Sequence, residues 1–389
     1  MKRQSTHFAA APLAALAGAL LLTAPGAQAA DIKIGVIAPL SGPIASQGVP
    51  TSRGIQAALK YRSEVGGRKV ALIQLDDASD PSASARAARK LIDEEKVDVV
   101  IGTGGVPGSM AIAAICREAK VPLISYTPLV LSGDDSAWAV TTAQPAPLMI
   151  NAVVEHMKKA GVKTIGYIGF SDSWGDLAYG SLQKSAEAAG MSVVTNERYA
   201  RADSSVAGQV LKIVAAKPDA VIGGTAGTPG ALPYIALAER GYKGAIYGTH
   251  GIINPDFVRV TGPSGQGLLA PTGPVMVAEQ LPDSHPSKKV AADFRAAHQA
   301  VHNAVPGDAF SAYAFDSWLV ATDAAARVAP KIEPGTPEYR AALRDAIFAT
   351  KDLAVTHGVL TFKAGSPYGA DSRSAVVVKL DKGQWVLQP

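Results

Sequence analysis

Short apolar strands alternate with helices along most of this chain, and that alternation restricts its fold more than any other feature. Ile32–Ala38 (IKIGVIA) reads as a buried strand, stopped by Pro39-Leu40-Ser41-Gly42-Pro43. Gln47–Glu64 reads as a helix closed by Gly66-Gly67, and Lys69–Leu75 as the next strand. Asp80 supplies an N-cap and Pro81 a first helical residue for a helix to Lys96. Val97–Ile101, Gly108–Ala119 and Val121–Tyr126 follow as strand, helix and strand. Apolar strands separated by helices make a parallel sheet covered on both faces, since each parallel crossover needs a helix to return the chain.

The rhythm restarts after Gln144-Pro145-Ala146-Pro147. Helix Met149–Ala160 leads to strand Thr164–Gly169, helix Gly175–Ala189 ended by Gly190, and strand Ser192–Tyr199. Helix Ser205–Ala216, strand Ala220–Gly224, helix Pro229–Arg240 and strand Ala245–Gly248 complete a second set. The same pattern twice implies two similar α/β lobes. Three helices follow, at Ser287–Asn303, Asp308–Val328 and Pro337–Thr350. The end of the chain is different: His357–Phe362, Ser374–Leu380 and Gln384–Leu387 are strands with no helix between them, the last two joined by the turn Asp381-Lys382-Gly383. That is antiparallel β-structure. A length of 389 residues suits two or three domains of roughly 100–200 residues each.

The first 29 residues read as a cleaved secretory signal peptide. Met1-Lys2-Arg3 is a positive start, Ala9–Leu22 is the densest apolar part, and Ala27-Gln28-Ala29 is a small-residue cleavage site. The 17-residue run Phe8–Ala24 is short of the ~20 residues a spanning helix needs. The mature chain is expected to start near Ala30, without the cysteine that a lipoprotein anchor requires, and to be exported to the periplasm. The net charge is +4, of which Lys2 and Arg3 supply two, so no basic face for nucleic acid is expected. A single cysteine, Cys116, excludes a disulfide within the chain and a cysteine-based zinc site.

Catalytic and cofactor motifs do not emerge. The first strand is not followed by G-x-G-x-x-G; the nearest match, Gly102–Gly108, carries Pro107 in the place of its third glycine. No G-K-[ST] phosphate loop and no G-x-S-x-G nucleophile elbow is present. His298 and His302 are four apart, on a helix expected to be exposed, and are not read as a metal site. Asp76-Asp77-Ala78-Ser79-Asp80 lacks the glycine and distal glutamate of a calcium loop and reads as a strand end plus a helix cap. No catalytic residues, metal or cofactor are expected.

In open α/β sheets, ligands bind beyond the carboxyl ends of the strands. Here those ends are rich in small and hydroxyl residues. The first lobe offers Ser41 to Gln47, Thr103-Gly104-Gly105-Val106 and Tyr126-Thr127-Pro128-Leu129. The second offers Ser171–Trp174, Gly224-Thr225-Ala226-Gly227 and Gly248-Thr249-His250-Gly251. Glycines let a ligand approach the backbone, and helix N-termini after such loops favour an anion.

The stretch Asp31–Gly48, with IGVIAPLSGPIASQG, resembles the opening of the branched-chain amino-acid-type periplasmic binding proteins of ABC transporters. QLDDASDPSASARAARKLI, VDVVIGTGG, IGYIGFSDSWGDLAYGSL and KPDAVIGG extend the resemblance through Gly224 in order. It implies a type I periplasmic-binding-protein fold: two doubly wound parallel-sheet lobes joined by a three-stretch hinge that closes on a ligand. By that pattern, residues 30–144 plus 275–355 form the first lobe and 145–274 plus 356–389 the second. The implied partners are a small-molecule ligand and the permease subunits of an ABC importer, with the binding protein itself a monomer.

Departures from the family pattern bear on the ligand. Where amino-acid binders carry a Ser for the carboxylate, this chain has Val106; where they carry a Thr for the amino group, it has Leu129. The acid that pairs with the ammonium falls at His250, and an aromatic position becomes Thr225, while Trp174 fills another and Thr127 is retained. An ammonium buried without its carboxylate costs several kcal/mol. The expected ligand is therefore a small organic acid with an apolar body, aromatic as in benzoate or phenylpropenoid binders, held by Ser41, Gln47, Gly104, Gly105, Val106, Thr127, Leu129, Trp174, Thr225 and His250. Three other readings stay open: a binder of an aliphatic acid, amide or amino acid, a ligand sensor of the same fold, and an enzyme whose catalytic residues are dispersed in sequence.

Overall fold

The computed structural model describes Met1 and residues 30–388; all of the expected signal peptide after Met1 lies outside the described residues. The first sheet draws its strands from the first 141 residues. In chain order they are β1 (Ile32–Ala38), α1 (Ala45–Tyr61), β2 (Glu64–Val65), β3 (Arg68–Asp76), α2 (Pro81–Asp93), β4 (Val99–Ile101), α3 (Val106–Ala119), β5 (Leu123–Ser125) and β6 (Ala139–Thr141). The strand order is β2-β3-β1-β4-β5-β6. β1 lies parallel to both neighbours, Ile32 opposite Val70 and Ile34 opposite Val99. Its residues are buried almost throughout, as a strand covered on both faces requires.

The second sheet follows α4 (Ala146–Lys159). It comprises β7 (Thr164–Phe170), α5 (Ser173–Ala188), β8 (Ser192–Tyr199), α6 (Ala207–Ala216), β9 (Ala220–Gly224), α7 (Leu232–Glu239), β10 (Ala245–Gly248), α8 (Pro255–Thr261) and β11 (Leu269–Thr272). The chain then returns to the first lobe through α9 (Pro286–His302), α10 (Phe310–Val328), α11 (Pro337–Phe348) and the hairpin β12 (Leu353–Val355) and β13 (Gly358–Leu360). β14 (Val376–Asp381) and β15 (Gln384–Leu387) finish the second sheet, ordered β15-β14-β11-β10-β9-β7-β8. β14 pairs antiparallel with β11, so this sheet is mixed at one edge. The architecture is the expected pair of α/β lobes of a type I binding protein.

α10 anchors the first lobe, and 16 of its 19 residues are buried. Gly54 of α1 allows the two helices to meet backbone to backbone: a Cβ there would lie 2.0 Å from the Ser311 carbonyl oxygen. Gly66-Gly67, expected to close α1, instead form the turn of the β2–β3 hairpin, both with positive φ. α3 begins at Val106, two residues earlier than expected, with Gly105 as N-cap. Asp80 caps α2 as expected, accepting from the Ala83 N–H at 2.7 Å. α9 is not an exposed helix at His298. That ring is buried, its Nδ1 2.7 Å from the Ala304 carbonyl, while His302 reaches the Arg53 carbonyl. Among the described residues, no three His, Cys, Asp or Glu side chains converge as a metal ion would need.

Gln144, Gly273 and Ser374 mark the three places where the chain passes between the sheets, and they meet. Gln144 Nε2 donates to the Ser374 carbonyl at 2.8 Å, and a Cβ on Gly273 would lie 3.0 Å from that same nitrogen. The start of the stretch 356–389, expected with the second lobe, packs with the first. Thr356 donates to Asp316 of α10, the Thr141 N–H of β6 donates to Pro367, and the Tyr368 hydroxyl donates to the Leu129 carbonyl. The strand pattern hid this because residues 361–371 form hydrogen-bonded loop rather than a periodic element.

Candidate functional site

The carboxyl ends of the two sheets face each other across a narrow cavity of about 30 Å³. From the first lobe come Gln47 of α1, the turn Gly104-Gly105 with Val106 at the start of α3, and Tyr126-Thr127 after β5. The second lobe contributes Trp174 at the start of α5, Arg201 after β8, Ala226 after β9 and His250 after β10. Phe310 and Tyr313, in the first turn of α10, close the inner end. The walls are mostly apolar and aromatic with a few polar groups, the usual character of a small-molecule site; the inner cavity has room for only a water or two, and the adjoining outer chamber, about 410 Å³, supplies the space that such a ligand needs.

Direct contacts hold the lobes together here. Ser46 Oγ accepts from the Thr228 N–H at 3.2 Å. With the Gln47 amide oriented to satisfy both its ends, Nε2 donates to the Gly104 carbonyl at 2.9 Å and Oε1 accepts from the Gly227 N–H at 3.1 Å. Val106 of the first lobe packs into an apolar cluster with Trp174, Phe170 and Ala226 of the second. Trp174 is fixed at the N-terminus of α5, where Asp172 caps the helix by accepting from the N–H groups of Trp174 and Gly175 at 3.0 and 3.1 Å. Its indole N–H donates to the Thr225 carbonyl at 3.3 Å.

Two polar groups of the cavity residues are buried and unpartnered, a costly arrangement for a protein interior. One is Nδ1 of His250, whose ring lies edge-on to Trp174 at 5.4 Å between centroids. Burial, with His357 nearby, pushes His250 down to about 4, so the imidazole is neutral at pH 7 and acts as a hydrogen-bonding group rather than a cation. The other is Nη1 of Arg201. Its Nε is bound to Asp172 Oδ2 at 2.6 Å, and its guanidinium carbon lies 4.1 Å from the centroid of the Phe170 ring. Arg201 and Gly105 also line an outer chamber of the same cleft, beside Asp80 and Asp172.

Of the residues singled out in the sequence, Gln47, Gly104, Gly105, Val106, Thr127, Trp174 and His250 come together in this cavity. Three do not line it. Ser41 is bonded to Asp76, hydroxyl to carboxylate, at 2.7 Å. Leu129 packs away from the cavity with Cys116, Leu123 and Ala139. Thr225 presents its carbonyl to Trp174, while its Oγ1 is set toward Gly230, where a Cβ would lie 2.7 Å away. Thr127 lines the cavity, but its hydroxyl is engaged, 2.7 Å from Ser109 Oγ and 3.1 Å from the Thr103 carbonyl. Arg201 was missed, although it stands just past the carboxyl end of β8, where the strand-end rule points. Phe310 and Tyr313 belong to a helix, and no loop signal marks them.

Comparison with known proteins agrees with this geometry. The model of the family described as periplasmic binding protein matches residues 31–384. The Leu/Ile/Val-binding protein BraC3 of Rhizobium johnstonii is 26% identical over 95% of this chain and 96% of its own. An extracellular ligand-binding receptor from Rhodopseudomonas palustris HaA2 is 40% identical, with a TM-score of 0.89 over 92% of this chain and 100% of that one. A solute-binding protein of an ABC transporter from R. palustris, solved in complex with benzoate, shares the fold at 22% identity and a TM-score of 0.75, covering 92% of this chain and 95% of that one. Two facing lobes, a cavity between them and a family match along nearly the whole described chain lead to one conclusion: the chain belongs to the periplasmic binding protein family, as a type I substrate-binding protein of the ABC transporter branched-chain amino-acid class.

Proposed function

We propose that this protein captures a small aromatic carboxylate in the cleft and presents it to ABC permease subunits. The observation that carries the reading is Arg201: a guanidinium with a buried, unpartnered Nη1, held at the edge of an aromatic-walled cavity. A carboxylate between Arg201 and the N-terminus of α3 at Gly105-Val106 would neutralise a cation from the second lobe and a helix terminus from the first. An anion bound to both would bridge the two lobes and favour closure. Thr127 adds no hydroxyl to this cradle, because its own is engaged by Ser109 and the Thr103 carbonyl.

With the lobes parted enough to admit it, the body of the ligand would lie among Trp174, Val106, Phe310 and Tyr313. Neutral His250 would read a polar substituent through Nδ1. Among the described residues no carboxylate lines the inner cavity; Asp77, Asp80 and Asp172 line the outer chamber, where they serve Thr103 and Ser84, the α2 cap, and Arg201 with the α5 cap. The benzoate complex of the R. palustris relative supports the ligand class. A thermal-shift panel of benzoate, cyclohexanecarboxylate and leucine tests the reading. Benzoate at 100 times its dissociation constant adds about 2.7 kcal/mol of stability; stabilisation by leucine alone overturns the proposal.

A further inference from the structure

Tyr313 lines the cavity and also contacts residues at the crossings between the lobes. It lies in the first turn of α10, 1% exposed, with its ring 6.5 Å from that of His250. Its hydroxyl donates to Gln144 Oε1 in the first crossing. Gln144 Nε2 in turn donates to the Ser374 carbonyl in the third, at 2.8 Å. The face of the Tyr313 ring is stacked on the His357 imidazole, 3.6 Å between centroids and 5° from parallel. Asp316 holds that imidazole at 2.9 Å, and the imidazole presses on Gly273 in the second crossing, where a Cβ would lie 2.2 Å from His357 Cδ2. A single side chain thus reaches all three crossings through one or two neighbours.

We infer that Tyr313 is the positioning residue that ties occupancy of the cavity to closure of the lobes. A ligand packed against the ring fixes its plane. The hydroxyl then fixes Gln144, and with it the spacing of the first and third crossings, while the stack on His357 fixes the second. Opening the cleft must move Gly273 and Ser374 past this cluster, and close-packed interiors switch between discrete arrangements rather than deforming continuously. The inference rests on the cavity being the ligand site, not on the ligand being an aromatic acid.

Tyr313→Phe removes the hydroxyl and keeps the ring. Spin labels at Glu94→Cys and Lys184→Cys, exposed at the C-cap of α2 and on α5 of opposite lobes, report the distance between lobes; native Cys116 is buried and takes no label. The distance distribution is measured without ligand, with saturating benzoate, and with saturating leucine. In the parent, a probe that binds collapses the distribution to one short distance. In Tyr313→Phe the same probe, though bound, leaves a second, longer distance and dissociates up to about ten-fold faster. Gln144→Glu, which keeps the acceptor for Tyr313 but loses the donor to Ser374, gives the same broadened distribution and stands in if the first variant does not fold. Parent-like bound distributions and release rates in a folded variant, with only a lower melting temperature, overturn the inference. If neither probe binds, that failure belongs to the aromatic-acid reading. The ligand-free distributions then decide: a shift to longer distances in the variants supports the inference, and no change overturns it.

Discussion

Arg201→Met separates charge recognition from packing. The Arg201 side chain is 18% exposed and already bonded to Asp172 through Nε at 2.6 Å, so its guanidinium is set in place before an anion arrives. Methionine keeps an unbranched stem over the Phe170 ring. Asp172 keeps the N–H groups of Trp174 and Gly175, so α5 and the indole wall stay where they are. What is lost is a charge-assisted hydrogen bond to the ligand, worth about 1.5–3 kcal/mol, or roughly 10–150-fold in Kd. Asp172, left without its cation, repels a carboxylate and acts in the same direction. Calorimetric titration of parent and variant with benzoate and with benzamide checks this. The parent prefers benzoate; the variant loses that preference and keeps its affinity for benzamide. Equal benzoate affinity in both proteins, or an equal loss for the two ligands, refutes the role given to Arg201.

Trp174→Ala weakens benzoate binding by about 1–3 kcal/mol, since ring packing and apolar burial are both lost; an unchanged titration places the ligand elsewhere. The native His250, held near 4, binds its proton less readily than an unfolded histidine near 6.5. Its contribution to stability is therefore full above pH 6.5 and falls as the pH drops toward 4, by up to about 3 kcal/mol. Melting curves across that window are steeper for the parent than for His250→Gln; identical slopes contradict the assigned burial. Gly54→Ala forces α1 off α10, because its Cβ would meet the Ser311 carbonyl at 2.0 Å; denaturant unfolding registers a loss of about 1–3 kcal/mol, and a neutral result means the helices can part at no cost.

The lobes were legible because strands buried on both faces are near-continuous apolar runs, interrupted in Ile32–Ala38 by Lys33, and because a helix with Asp80-Pro81 at its start announces itself through capping chemistry. Two short strands, Ala139–Thr141 and Leu269–Thr272, were not seen: neither is a clear apolar run, since Thr ends both and Pro271 interrupts the second. The Gly66-Gly67 turn was placed at a helix end since diglycine serves both purposes. Within the site, loops at strand ends gave Gly105, Thr127, Trp174 and His250, all of which follow from topology. Leu129 and Thr225 were misplaced by counting along the chain: both lie in loops at strand ends, but local backbone geometry turns their side chains into neighbouring packing. Arg201 was reachable by the same strand-end rule, applied to β8. Phe310 and Tyr313 were not, since only the tertiary packing of α10 brings a helix from late in the chain to the inner end of the cavity.

Benzoate and leucine titrated separately into the purified mature protein, with calorimetric detection, test the central claim most directly. Benzoate binding with at least ten-fold preference over leucine, and over cyclohexanecarboxylate of similar size, is the predicted result: the inner cavity offers a cation and aromatic walls, and no carboxylate among the described residues lines it. Micromolar leucine binding without benzoate binding would contradict it and return the site to the amino-acid class.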